Sequence, residues 1–300
     1  MPEPNPDIKS KHWPVPLIRF LARLPLPFLY VLADMLFVLF FHLIRFQREL
    51  VVENLGRAFP EQSSQVTRRL AAQSYRHAIH ILFETIKSVS FNDHELAQRI
   101  EIENTELIDA LLRRHRTILA AASHHCNWEW LQLACSARLE VPLAALYKPL
   151  NHRGIDTLLL QMRSRYGSKL IEAKSALPEL VSFIRQPGVI AVVADQGPRP
   201  DEEKYWSRLL GRDTAFFPGL EKLARLLKAP VVFVRMKRVR RGHYRIRFEV
   251  LTEPPYRQQS GAIMEPYIQA LEKQIIEAPQ DWFWAYKRWK YKKPVYEARH

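Results

Sequence analysis

Between Thr117 and Trp130 the chain reads TILAAASHHCNWEW, and the groups able to do chemistry are His124, His125, Cys126 and Glu129. Histidine, with an ordinary pKa of about 6.5, takes a hydroxyl proton near neutrality. Glu129 stands five residues beyond His124, across what the residue types define as a helix start. Asn127 is a good N-cap, and Trp128 opens the helical run. A loop-to-helix turn of this kind can bring the Glu129 carboxylate onto the imidazole Nδ1. There it fixes the tautomer and stabilises the imidazolium formed when Nε2 accepts a proton. The chemistry predicted is general-base activation of a substrate hydroxyl by His124, with Glu129 orienting it. No serine or cysteine is acylated.

Plainer alternatives exist for the same residues. Histidines beside a helix start can simply satisfy backbone groups. A metal site built from His124, His125, Cys126 and Glu129 fits neither the His pair of a zincin helix nor a zinc ribbon. Cys126 carries no sign of a lowered pKa and is expected as a small packing residue.

The elements that must position this loop follow from the alternation of β-branched runs with helical ones. Strands are expected at Thr117–Ala122, Val141–Tyr147, Gly188–Ala194, Pro230–Met236 and Tyr244–Leu251. Helices are expected at Ser63–Ser88, Thr105–Arg113, Asn127–Leu139, Arg153–Tyr166, Leu177–Arg185, Phe217–Lys228 and Ala262–Glu277. Strand and helix in turn predict an α/β fold with a mixed, largely parallel sheet. VIAVVA and VVFV read as central strands covered on both faces. Gly242 in RRGH marks a hairpin turn. On the Ser63–Ser88 helix, Val66, Leu70, Ala71, Tyr75, Ile79, Leu82 and Ile86 define the face expected to pack inward. Reactive groups of open α/β sheets collect at the carboxyl ends of strands. That edge is where His124, Lys148 after Tyr147, and Asp195-Gln196 after VIAVVA all fall. Lys148 suits a phosphate or carboxylate, or is a solvated loop lysine. Asp195 suits a substrate hydroxyl, or a loop cap. Arg163 lies late in its helix, where the macrodipole alone favours a cation.

The 300 residues carry 45 Lys plus Arg against 31 Asp plus Glu, a formal charge of +14, with 47% apolar residues. That apolar share excludes a disordered polycation, and the charge predicts an anionic partner. Two cysteines exclude a disulfide framework or a cysteine-based zinc module. From Phe28 to Ile44 only Asp34 and His42 interrupt an apolar run, which is too long for a cleaved signal and lacks a small-residue cleavage site. Flanking Lys9, Lys11, Arg19, Arg23, Arg45 and Arg48 give no clean orientation. The expected organisation is a membrane-anchoring segment over 1–50 and a catalytic domain over 51–300. Basic residues concentrate in Arg235–Arg247 and, mixed with aromatics, in Trp282–Lys293. The hydrophobic segment favours a membrane over single-stranded nucleic acid for this mixture.

The chain resembles the lysophospholipid-acyltransferase-like group, and within it the lipid A biosynthesis acyltransferases that add secondary acyl chains. The family motif, His, four residues, then Asp or Glu, is met by His124-HCNW-Glu129. Further family-like blocks follow in order: YKPLNHRGID from Tyr147, RSRYG from Arg163, ADQGP from Ala194, GRDTAFFPGLEKLARLLKAPVV from Gly211 and WFWAYKRWK from Trp282. The resemblance implies a glycerol-3-phosphate-acyltransferase-like domain. It implies transfer from an acyl-carrier-protein thioester to a hydroxyl of a lipid A precursor, on the cytoplasmic face of the bacterial inner membrane. Anionic membrane lipids are partners in this view; no metal, organic cofactor or nucleic acid is called for. It makes Arg163 a head-group contact and lines the substrate region with Phe216–Gly219, adding Gly219 to the candidates Lys148, Arg163, Asp195 and Gln196. A different phospholipid or glycolipid acceptor, or a non-catalytic basic protein binding membranes or nucleic acid, are the alternatives.

Overall fold

The computed structural model describes residues 14–294, so Lys9 and Lys11 lie outside the described residues. The helices α1 (Val15–Ala22), α2 (Leu26–Phe37), α3 (Arg48–Ala58), α4 (Ser64–Ser88) and α5 (Asp93–Arg99) come first, with a π-helical stretch Val38–Ile44 extending α2. Alternation then begins: β1 (Ile100–Ile102), α6 (Glu106–Arg114), β2 (Thr117–Ala122), α7 (Trp128–Arg138), β3 (Leu143–Tyr147), α8 (Arg153–Arg163), β4 (Lys169–Glu172), α9 (Ala176–Phe183) and β5 (Gly188–Val193). A hairpin of β6 (Tyr205–Leu209) and β7 (Arg212–Phe216), helix α10 (Gly219–Leu227), strands β8 (Val231–Arg240) and β9 (His243–Thr252), and α11 (Met264–Glu277) complete the order.

Seven strands form one sheet in the order β1-β9-β8-β2-β5-β3-β4. Every pairing is parallel except β8 with β9. This is the expected mixed, largely parallel α/β architecture. β2 lies at the centre, and all its residues are buried because helices cover both faces. Ile118, Ala120 and Ala122 pack toward α2, α6 and α7, while Leu119 and Ala121 pack toward α9, α10 and α11. Gly242 turns the β8–β9 hairpin at φ 68°, a conformation that costs glycine little.

Short β1, β4, β6 and β7, and helices α1, α3 and α5, were not expected from periodicity. The boundary expected after residue 50 falls inside α3, and residues from both sides of it share one core, as Phe41 does with Leu55 and Leu119. The inward face of α4 also differs. Val66 and Leu82 are exposed, while Ser74, His77, His80, Glu84, Lys87 and Ser88 are buried. The reason is that α4 is covered from several sides, so its buried arc includes polar groups, and these bond. His77 meets Asp281 at 2.9 Å, Lys87 Nζ donates to the Ala22 carbonyl at 3.1 Å, and Ser74 donates to the Trp282 carbonyl. Several of the Arg235–Arg247 charges are matched from elsewhere: Arg235 by Glu249 and Glu277, Arg245 by Glu101 and Glu103, and Arg241 by Asp34.

Candidate active site

β2 ends at Ala122, and the chain crosses Ser123 to Asn127 before α7 begins. The Asn127 side chain accepts from the Trp130 backbone N–H at 3.0 Å, so the expected N-cap is formed. Its amide donates to the buried Glu84 carboxylate at 2.8 Å, which also accepts from Tyr30 and Tyr244, each at 2.7 Å. A fully buried carboxylate is tolerated when hydrogen bonds surround it. Here one residue of α4 ties α2, β9 and the loop together.

His124 sits at the carboxyl edge of the sheet. Its Nδ1 is 2.6 Å from Asp195 Oδ1, at the end of β5. Parallel pairing of β2 with β5, with Ala122 opposite Val193, carries the two residues to the same edge. The other Asp195 oxygen accepts from the His124 backbone N–H at 3.1 Å and from Trp282 Nε1 at 2.8 Å. Burial alone would raise the Asp195 pKa, but His124, the nearby Arg288 charge and the Trp282 hydrogen bond outweigh it and hold it down at about 2. An ionised carboxylate only accepts, so Nδ1 carries a proton, and in the neutral ring Nε2 is the nitrogen with the lone pair. The Gln196 amide lies 3.4 Å from Nε2, and Trp128 stands edge-on to the ring at 5.0 Å.

The carboxylate on Nδ1 is therefore Asp195 and not Glu129, which corrects the expected orienting role. From the first turn of α7, Glu129 instead grips Arg163 on α8 in a bidentate pair, Nε at 2.8 Å and Nη2 at 2.6 Å. The helical turn after Asn127 aims Glu129 sideways at α8, away from the ring.

His124, Glu129, Lys148, Arg163, Gln196 and Gly219 all line one cavity of about 830 Å³. Asp195 lies behind its wall, 2% exposed. Lys148 is exposed at the end of β3. Gly219 opens α10, where a Cβ would clash with the Phe217 ring, so glycine lets that ring fold back beside the cavity. Deeper in, the lining turns apolar. Ala120, Ala191 and Ala145 lie side by side across β2, β5 and β3. These small side chains leave room beneath Leu131 and Cys135 of α7, and Val234 and Phe248 also line the space. A slot of this size and lining has room for an alkyl chain, with His124 on its rim.

Neighbouring His125 is buried and inert, its Nε2 donating to the Ala278 carbonyl at 3.2 Å. Burial lowers its pKa to about 4. Burial also pushes the Cys126 thiol well up and that of Cys135 to about 12, which suits packing. Among the described residues no three His, Cys, Asp or Glu side chains gather in a way that could hold a metal ion.

No spacing in the sequence points to Trp282 as a donor to Asp195. The aromatic-basic C-terminal run suits a membrane face by composition, yet Trp282, Trp284 and Arg288 are buried. The Arg288 guanidinium lies over the rings of Phe216, Trp282 and Tyr286. The tryptophans serve the core, and the exposed members of the run are Lys287, Lys290, Lys292 and Lys293.

Residues 12–291 match the model of the bacterial lipid A biosynthesis acyltransferase family. The chain is 25% identical over 276 residues to the lipid A biosynthesis lauroyltransferase of Escherichia coli K12, covering 90% of this chain and 87% of that protein. It is 22% identical over 289 residues to the lipid A biosynthesis acyltransferase of Haemophilus influenzae Rd, covering 92% and 87%.

Proposed function

The chain belongs to the bacterial lipid A biosynthesis acyltransferase family and is an acyltransferase of lipid A biosynthesis; on that premise we propose that it moves a fatty acyl chain from an acyl-carrier-protein thioester to a hydroxyl of a lipid A precursor, with His124 as general base. The observation that carries this reading is the His124–Asp195 pair set where a polar edge meets an apolar slot. The acyl chain occupies the slot, with its thioester carbonyl beside His124. Nε2 takes the acceptor's hydroxyl proton as the oxygen attacks that carbonyl. Asp195 stabilises the imidazolium so formed. Collapse of the tetrahedral intermediate forms the ester and expels the carrier thiolate, which regains the proton from Nε2. Arg163, locked by Glu129, and Lys148 offer positive charge to the phosphorylated head group. Gln196 and Gly219 border the reacting atoms. Enzyme and acceptor meet at the cytoplasmic face of the inner membrane, with anionic lipids holding the basic surface.

The test is incubation of the full-length protein with labelled acyl-carrier-protein thioesters and a purified lipid A precursor. The expected outcome is an O-acylated product, with turnover by folded His124→Ala reduced by about 10²–10⁴-fold. Near-normal turnover by that variant would sink the mechanism. Acylation of other lipids but never of the lipid A precursor would move the acceptor to another lipid class.

A further inference from the structure

Leu26–Ile44 is the one helix among the described residues long and apolar enough to cross a membrane, and only a minority of it is buried against the protein. Its inner edge belongs to the core: Leu26, Leu29, Tyr30, Ala33 and Phe41 are buried. Its outer edge is an apolar stripe at helical spacing, formed by Phe28, Val31, Met35, Val38 and Leu43, with Met35 63% and Leu43 71% exposed. Water is a poor solvent for such a stripe.

Asp34 decides how a bilayer meets it. This carboxylate accepts from Arg76 of α4 through Nε at 2.7 Å and Nη2 at 2.6 Å, and lies 2.7 Å from His80 Nε2. Arg241, at the β8–β9 turn, approaches to 3.4 Å. The hydrogen bonds from Arg76 hold the carboxyl well below the usual range, so Asp34 is charged. It sits roughly 12 Å along the helix from Leu26, near the midpoint. Were the helix to stand across the bilayer, Asp34 would lie at mid-depth. The side of α4 bearing Arg76 and the tip of the arginine-rich hairpin would lie there with it. Hydrocarbon rejects these charges and the strand edge that carries them. Withdrawing the body instead would strip Leu29, Tyr30 and Ala33 from the core.

We infer that Leu26–Ile44 does not span the membrane: it lies along an anionic lipid surface with its outer stripe in the head-group boundary and both ends on the same side. Leu17 and Phe20 of α1 extend the exposed apolar surface. Exposed Arg19, Arg23 and Arg45 bracket it, and such cations suit anionic head groups. This rests on the membrane placement proposed above and makes the anchor a flat one.

The experiment uses the full-length enzyme with a single new thiol before or after the helix, Arg23→Cys or Glu49→Cys; Cys126 and Cys135 are buried and give little background. An impermeant maleimide should label neither site in intact spheroplasts and both in inside-out vesicles. Labelling of the two sites from opposite sides would overturn the inference. Nitroxides on Phe28→Cys, Met35→Cys and Leu43→Cys give a second measurement. A similar shallow depth at all three supports the flat helix, whereas a maximum at Met35 with shallow ends overturns it. Failure to sediment with membranes and to bind anionic vesicles would overturn both the flat helix and the membrane placement. The acyl-transfer chemistry would still be judged by its own assay in detergent.

Discussion

Two carboxylates flank the same cavity, Asp195 and Glu129; both are buried and both are paired, yet they hold different partners. Asp195 holds an imidazole, a side chain able both to accept and to give up a proton. Glu129 holds a guanidinium, which does neither. The first pair can take part in proton transfer, and the second fixes a charge in space. Sequence proximity favours Glu129 as the partner of His124, while strand pairing favours Asp195, and the fold follows the strands.

The largest effect separating the two sites is expected from Asp195→Asn. The amide can donate to Nδ1, turning the tautomer so that Nε2 holds the proton. We predict a fall in kcat of about 10³–10⁴-fold with the fold intact, by the logic of carboxylate-oriented histidines generally. Steady-state kinetics beside circular dichroism check it. A variant within tenfold of the parent, set against an inactive Glu129→Gln, would reverse the comparison and restore Glu129 as the orienting group.

Glu129→Leu alone should act mainly on stability, because it strands the Arg163 charge, at a cost of about 3–5 kcal/mol. Adding Arg163→Met should recover most of that loss while the KM for the lipid acceptor stays raised. Denaturant titration and acceptor kinetics on both variants sharpen the distinction. If the double variant binds acceptor like the parent, Arg163 has no head-group role.

A smaller effect is expected from His125, in the loop between the two sites. Its folded pKa of about 4 lies below its unfolded value, so the unfolded chain takes up a proton that the fold refuses. Stability is full above about pH 6.5 and is lost as pH falls toward about 4, by roughly 3 kcal/mol. His125→Gln should flatten that slope in denaturation curves at pH 7 and 4.5. An unchanged slope would mean that the proton goes elsewhere.

Much of this was legible in order along the chain. The apolar runs identified β2, β5 and β8 because buried strands need continuous apolar sequence. Asn127 marked its helix start because few side chains can cap one, and Gly242 its turn because few residues adopt a positive φ. The His124–Asp195 contact was not legible, since it depends on the register between β2 and β5, and register is a property of the whole sheet. Each residue could be placed at the sheet edge, but not against the other. The buried side of α4 escaped detection because hydrophobic periodicity assumes one covered face, whereas His77, His80 and Glu84 are buried against several elements and stabilised by bonds that no spacing rule encodes. Trp282 is illegible for a related reason: an indole beside lysines has interfacial composition, and only the fold brings its N–H to Asp195.

Glu84 bears on how this protein can be handled. Making a more soluble version by deleting residues up to Ile44 would look like trimming an appendage. Such a truncation would also remove the Tyr30 hydroxyl from a carboxylate that grips Asn127, and uncover the neighbouring core. What remained would be an enzyme with a loosened His124 loop, so its activity would not measure that of the whole chain.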